Sequence, residues 1–424
     1  MWAGQRKYWD EGMIDNPAGE RMVTRGEQML ALRRRRMAAS HPFFRGGFRP
    51  FFFGGAAWAL IALTLWIWSL TGPIGLPTAL DPVAWHRHEM LFGFVGAVAS
   101  GFLLTAVPNW TGRLPIAGWP LGGLFALWAA ARLALLFSAE TGLWLAAILD
   151  VGFFFVLGLL AAREVLEANN RNVPVVGMIL LLGIADAVDY LATVGVIPVP
   201  DLGWQLGISI VVVLISLIGG RIIPSFTRNW MAKQGMASGL PTQPGRFDLF
   251  VIAATAVALL AWLSGPAETP IGLVLVAAAI LQAARWARWS GYRTLADPLV
   301  LVLHVGYAWV PVGLALLGFS LIGLVPRSAA IHALTAGAMA TMILAVMTRA
   351  SLGHTARELK ANSATILIYL LVTAGAILRV TASLRLLDYS IGIEIAGLAW
   401  GGAFLLFLVA YAPVLWRPRL GERS

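Results

Sequence analysis

Six histidines are the residues best equipped for chemistry in this 424-residue chain, and cysteine is absent. Without cysteine there is no disulfide framework, no Cys-ligated zinc, no iron–sulfur cluster and no covalent c-type haem attachment. A metal must therefore be held by His, Met or carboxylate. Three imidazoles suit copper or zinc, and one or two suit haem iron. Two of the six stand one residue apart in "PVAWHRHEMLFGF", residues 82–94, with Glu89 directly after them. Each helical residue turns ~100°, so His86 and His88 would point ~200° apart on a regular helix. Both could serve one metal only if the helix entry is irregular. Asp81-Pro82 reads as a helix cap followed by proline in the first turn. Glu89 lies three residues after His86, on the same face. There it would gate protons or orient a ligand histidine through a hydrogen bond.

The elements that must position these groups are membrane helices. The chain is 59% hydrophobic and only 12% charged, with 18 Trp. A soluble domain carries about twice that charged fraction. Apolar runs of spanning length recur from residue 48 onward. They predict an all-α, polytopic bundle with spans near 48–71, 86–108, 119–138, 142–166, 174–195, 202–224, 247–264, 269–290, 297–321, 328–350, 362–385 and 391–415. Of the 31 Lys and Arg, only Arg87, Arg132, Arg327, Arg379 and Arg385 fall on the side opposite the N-terminus. The positive-inside rule then places both termini in the cytoplasm. The net charge of +10 follows from this topology and gives no reason to expect a nucleic-acid partner. Residues 1–40 are basic, lack the apolar core of a secretory signal and are expected to form a disordered or interfacial cytoplasmic segment. Met29 and Met37 offer alternative starts. Residues 41–424 form the membrane domain.

Depth sorts the histidines into two groups. His86, His88 and His332 fall at the outer ends of their spans, and His41, His304 and His354 toward the inner side. His332 and His354 are 22 residues apart in one span, or ~33 Å at 1.5 Å per residue, too far to share a metal. Arg113, Arg221 and Arg349 share the inner depth with Arg228, where guanidinium forks suit carboxylates or phosphates. Positive-inside topology alone also explains them. Asp186 and Asp189 lie at i, i+3 within a span and would carry protons or form a structural ion pair with Arg132 or Arg379; Asp150 in the preceding span is a similar candidate. Pro311, one turn after Tyr307, is expected to bend its helix. Met339 follows His332 by seven residues on one face, and Met90, Met342 and Met347 are further soft donors, although Met in such helices mostly packs.

Five segments together resemble the NnrS family. They are "GFRPFFFGGA" (47–56), "WHRHEMLFGFVGAVASGFLLTAVPNWTGR" (85–113), "GGRIIPSFTRN" (219–229), "DPLVLVLHVGYAWVPVGLALL" (297–317) and "HALTAGAMATMILAVMTRASLGHTAREL" (332–359). Arg87 stands where that family commonly has a small residue. The resemblance implies a twelve-helix protein of the bacterial inner membrane that binds haem and copper and takes part in nitric oxide metabolism, denitrification and resistance to nitrosative stress. On this reading the cofactors are haem b and copper. The haem falls to the inner group, His41, His304 and His354 with Arg113, Arg221 and Arg349. Copper falls to His86, His88 and His332, with Glu89 as the proton-handling group. Nitric oxide or a related nitrogen oxide would be the small-molecule partner and membrane lipid the surroundings. Electrons would come from quinol, a protein partner or another carrier, since no soluble redox domain is present.

Two other classes use the same features. A haem- or copper-binding sensor or chaperone would hold the metal without turnover. A transporter would use Glu89, Asp186 and Asp189 as coupling sites, and would show discontinuous helices and internal repeats. No repeat of 20–50 residues is visible in the sequence.

Overall fold

The computed structural model describes residues 28, 31–32, 35, 38–72, 75–265 and 268–421. Most of the basic segment 1–40 lies outside the described residues.

Among the described residues twelve helices are long and apolar enough to cross a membrane. They are α1 (Phe48–Thr71), α2 (Pro82–Thr111), α3 (Trp119–Leu136), α4 (Leu143–Glu167), α5 (Val173–Thr193), α6 (Leu202–Lys233), α7 (Arg246–Ser264), α8 (Glu268–Ala287), α9 (Pro298–Leu321), α10 (Arg327–His354), α11 (Ser363–Ser383) and α12 (Tyr389–Trp416). These are the twelve spans expected, and the described residues contain no strand. Lipid offers no hydrogen bonds, so each apolar run must satisfy its backbone internally, and only a helix does that within one segment.

Local chemistry fixes the ends. Asp81 accepts from the N–H groups of Val83 and Ala84, and Asp297 from that of Leu299. Each precedes a proline that needs no donor partner. Gly112, at φ +69°, closes α2. Several boundaries differ from the sequence reading by a few residues, and two of the differences have a clear physical cause. α2 starts four residues earlier, because the Asp81 cap opens it. α6 runs on through Pro224 to Lys233, where Arg221, Ser225 and Asn229 are exposed and Ile223, Thr227 and Met231 are buried. That alternation is an amphipathic helix with one packed side. Pro311 likewise sits inside an uninterrupted α9.

Neighbours in sequence mostly pack as neighbours in space, and α12 returns against α1. Arg49 at the start of α1 donates to the carbonyls of Leu415 (2.7 Å) and Arg417 (2.6 Å) at the end of α12. Phe43 stacks on Trp416 with ring centroids 4.2 Å apart. The centre belongs to α2 and α10. Their apolar windows are 78% and 67% buried, against 33% for α12.

These two central helices share an irregularity. α2 is α-helical over Pro82–His88, π-helical over Glu89–Val95 and α-helical again from Gly96. α10 repeats the scheme: α over Arg327–His332, π over Ala333–Met339, α from Ala340. Each π segment begins directly after a histidine. A π turn accommodates an extra residue and re-aims the side chains on either side, and such segments are frequent at functional sites.

Candidate functional site

Because the entry of α2 is regular over Pro82–His88, its two histidines diverge as the ~100° step requires. His86 stacks on Trp66 of α1, centroids 4.1 Å apart and planes at 20°. It lines a cavity of about 390 Å³ between α1, α2, α6 and α10–α12. His332, the last residue before the π segment of α10, lines the same cavity. His332 Nδ1 stands 2.7 Å from the carbonyl oxygen of Ser328. A carbonyl only accepts, so Nδ1 carries the proton and Nε2 keeps a free lone pair. The buried Nδ1 of His86 has no hydrogen-bond partner. Two imidazoles thus line one cavity, His332 with Nε2 unprotonated and His86 with no hydrogen bond at its buried Nδ1. Met90 and Met339 also line it. Most of the remaining wall is apolar.

Three arginines line the same cavity: Arg87, Arg327 and Arg379. Asp201 faces two of them, at 3.6 Å from Arg87 and 3.4 Å from Arg327. Both guanidiniums lie over the Trp204 ring, at 5.0 and 5.2 Å. Arg379 donates to Ser383 Oγ at 2.6 Å. These are among the few cations the sequence places on this side of the membrane. Their leaflet was legible, but their convergence was not, because the loops that bring them together carry no spacing signal.

His88 turns away from the cavity into a buried polar cluster. Its Nδ1 stands 2.9 Å from Asp189, and its Nε2 stands 3.1 Å from Asp150 and 3.5 Å from Asp186. Arg132 pairs with Asp150 and with Glu89. Glu89 Oε2 also accepts from the Trp58 indole at 2.7 Å. Glu89 therefore is not part of the cavity wall. Gly93 makes room for this pair: a Cβ there would fall 2.5 Å from Arg132 Nη1. The outer set of three histidines therefore divides, two toward the cavity and one toward the carboxylates.

The inner set does not assemble either. His304 is buried, with Nε2 2.8 Å from Thr227 Oγ1 and Nδ1 pressed against Gly291, where a Cβ would fall 2.5 Å away. Gly291 packs closely over that nitrogen, which has no hydrogen-bond partner. His354 lies 5.5 Å from the Phe48 ring, and His41 caps a short 3₁₀ turn at Pro42–Phe44. The arginines expected there are spread out. Arg113 pairs with Glu164 and Glu167, Arg221 donates to Asn172, and Arg349 lies 4.1 Å over the Phe226 ring. His354 and Arg349 share a cavity of about 150 Å³. A third, apolar cavity of about 110 Å³ lies between the two, touching Val95 and Met339 of the first and Phe102, Ile222 and Val346 of the second.

No curated protein matches the chain, and no solved structure does so. The family model described as NnrS protein matches residues 42–419, nearly all of the membrane domain, and the chain therefore belongs to the NnrS family.

Proposed function

We propose that this membrane protein binds haem b and copper in the bacterial inner membrane and acts in nitric oxide metabolism or nitrosative-stress defence. The observation that carries the reading is the convergence of His86 and His332, from two π-interrupted central helices, on one cavity. Its volume of about 390 Å³ falls in the range of ~300–1,000 Å³ typical of small-molecule and cofactor pockets. The donor set fits haem iron, which takes one or two imidazoles. Arg87, Arg327 and Arg379 suit the carboxylates of a porphyrin. This moves the preferred haem position from the inner histidines to the outer pair. Met90 and Met339 offer soft donors of the kind copper accepts. A metal held there would supply a centre that binds a nitrogen oxide and exchanges electrons. The chain's own residues orient the imidazoles, through Ser328 and Trp66, and exclude water with an apolar wall.

The test is a visible spectrum with haem and copper per chain, for wild type, His86→Ala, His332→Ala and His354→Ala. The Soret band should be lost or shifted in the first two variants and kept in the third. Unchanged spectra and metal content in both His86→Ala and His332→Ala would sink the reading. Consumption of nitric oxide by purified protein with an electron donor then separates turnover from binding alone.

A further inference from the structure

The cluster around His88 has a composition that the cavity reading leaves unused. Four carboxylates, Glu89, Asp150, Asp186 and Asp189, meet one guanidinium and one imidazole, and all six side chains are buried, Asp189 being the most exposed at 4%. With a neutral imidazole the cluster lacks three positive charges, and with a charged one it lacks two. Unpaired ionised carboxylates are not tolerated away from water, where each costs several kcal/mol or more. The deficit is concentrated at Asp186. Neither of its oxygens has a hydrogen-bond partner, although the residue is fully buried. Its helix aims it at His88 and Asp150.

We propose that His88, Asp150 and Asp186 hold a divalent metal ion, distinct from anything bound between His86 and His332. One donor atom from each of the three lies within 4.8 Å of the others. His88 Nε2 stands 3.1 Å from Asp150 Oδ2 and 3.5 Å from Asp186 Oδ1. Donors around a tetrahedral ion with bonds of ~2.0–2.2 Å stand roughly 3.3–3.6 Å apart, so the set is close to a ligating arrangement. The other ring nitrogen, Nδ1, faces Asp189 at 2.9 Å. A carboxylate on the far nitrogen of a ligand histidine fixes its tautomer and raises its basicity, which makes Asp189 a positioning residue. Arg132 holds the second oxygen of Asp150 and keeps that carboxylate turned toward the site. One imidazole and two carboxylates suit zinc, manganese or iron(II) better than copper(I), which prefers softer donors. A dication also removes most of the charge deficit.

The test uses the full chain purified in detergent. Metal content is measured by mass spectrometry before and after dialysis with a chelator, and again after adding zinc or manganese. Wild type should retain a stoichiometric divalent ion, and Asp186→Asn, which preserves size, should lose it. Asp189→Asn should weaken affinity ~10–100-fold while leaving the ligands intact. His86→Ala should keep this ion even where it abolishes the cavity chromophore, so the two assignments fail independently. If Asp186→Asn does not elute as a single species, wild type alone decides, through a rise in thermal stability on adding zinc or manganese that the chelator reverses. Wild type holding neither ion and showing no such rise overturns the proposal, because protons alone then balance the cluster. Equal metal retention by wild type and Asp186→Asn overturns it as well.

Discussion

Single side chains separate groups that hold structure from groups free to bind. Arg132 is 1% exposed and is the guanidinium between Glu89 and Asp150. Replacing it with Met leaves two buried carboxylates without that cation. The expected loss is ~3–5 kcal/mol of stability, the usual cost of breaking a buried pair, read from thermal or denaturant unfolding in detergent. His304 behaves oppositely to a ligand. Thr227→Val should cost about 1–3 kcal/mol by leaving Nε2 unsatisfied, with haem and copper content unchanged. Much of this scale was readable in advance. Charged residues inside spans stood out as costly, and the ~200° divergence of His86 and His88 followed from helix geometry alone. Two points were not readable: that Glu89 would turn to Trp58 and Arg132, and that Gly291 would pack over His304. Both depend on contacts between helices far apart in sequence.

At the scale of elements, the spans were legible because lipid forces every apolar run into a helix. The π segments were not. An extra residue in a turn leaves no mark on composition or hydropathy, and Gly93 and Gly337 within them look like any other small residue. Gly337 does show its purpose once the fold is seen, since a Cβ there would lie 2.6 Å from the Trp309 ring. Deleting Leu91 should close the first π segment into regular helix. The portion carrying His86 would then turn by ~100° relative to the portion below it. The expected outcome is loss of the cavity chromophore with the helical circular dichroism preserved. An unchanged Soret band would mean that the irregularity does not aim His86. The end of α6 was misjudged for a related reason. Pro224 and the polar residues after it look like a terminus, yet one side of that stretch is packed.

The whole molecule is tied at two places. One is the closure of α12 on α1 through Arg49. Arg49→Ala should leave the carbonyls of Leu415 and Arg417 without that donor, and amide exchange near the end of α12 should quicken while the centre of the bundle stays protected. The other is a second buried network, around Arg285. Its Nε donates to Asp248 at 2.8 Å and its Nη1 to Ser216 and Tyr307. Gln282 joins Ser216, Thr255 and Tyr307. No fully buried side-chain polar atom of Arg285, Gln282, Tyr307 or Ser216 is left without a hydrogen-bond partner, unlike those of Asp186, and that contrast marks the Arg285 network as structural. Tyr307→Phe should cost ~1–3 kcal/mol in unfolding experiments without touching metal content. The charge tally along the sequence counts Arg285 only as one of the inner-side cations. Its burial shows that a tally of cations by loop mixes topological signals with core pairs.

The length of α6 has a consequence for how the protein sits in its surroundings. Its 32 residues extend ~48 Å at 1.5 Å per residue, whereas the hydrocarbon layer is ~30 Å thick. The final turns, with Arg228, Trp230 and Lys233, therefore stand in the headgroup layer, where such side chains act as interfacial anchors. They set the height at which the bundle floats. A change in bilayer thickness is expected to act on this end of the helix, whose other end carries Trp204 beside the histidine cavity.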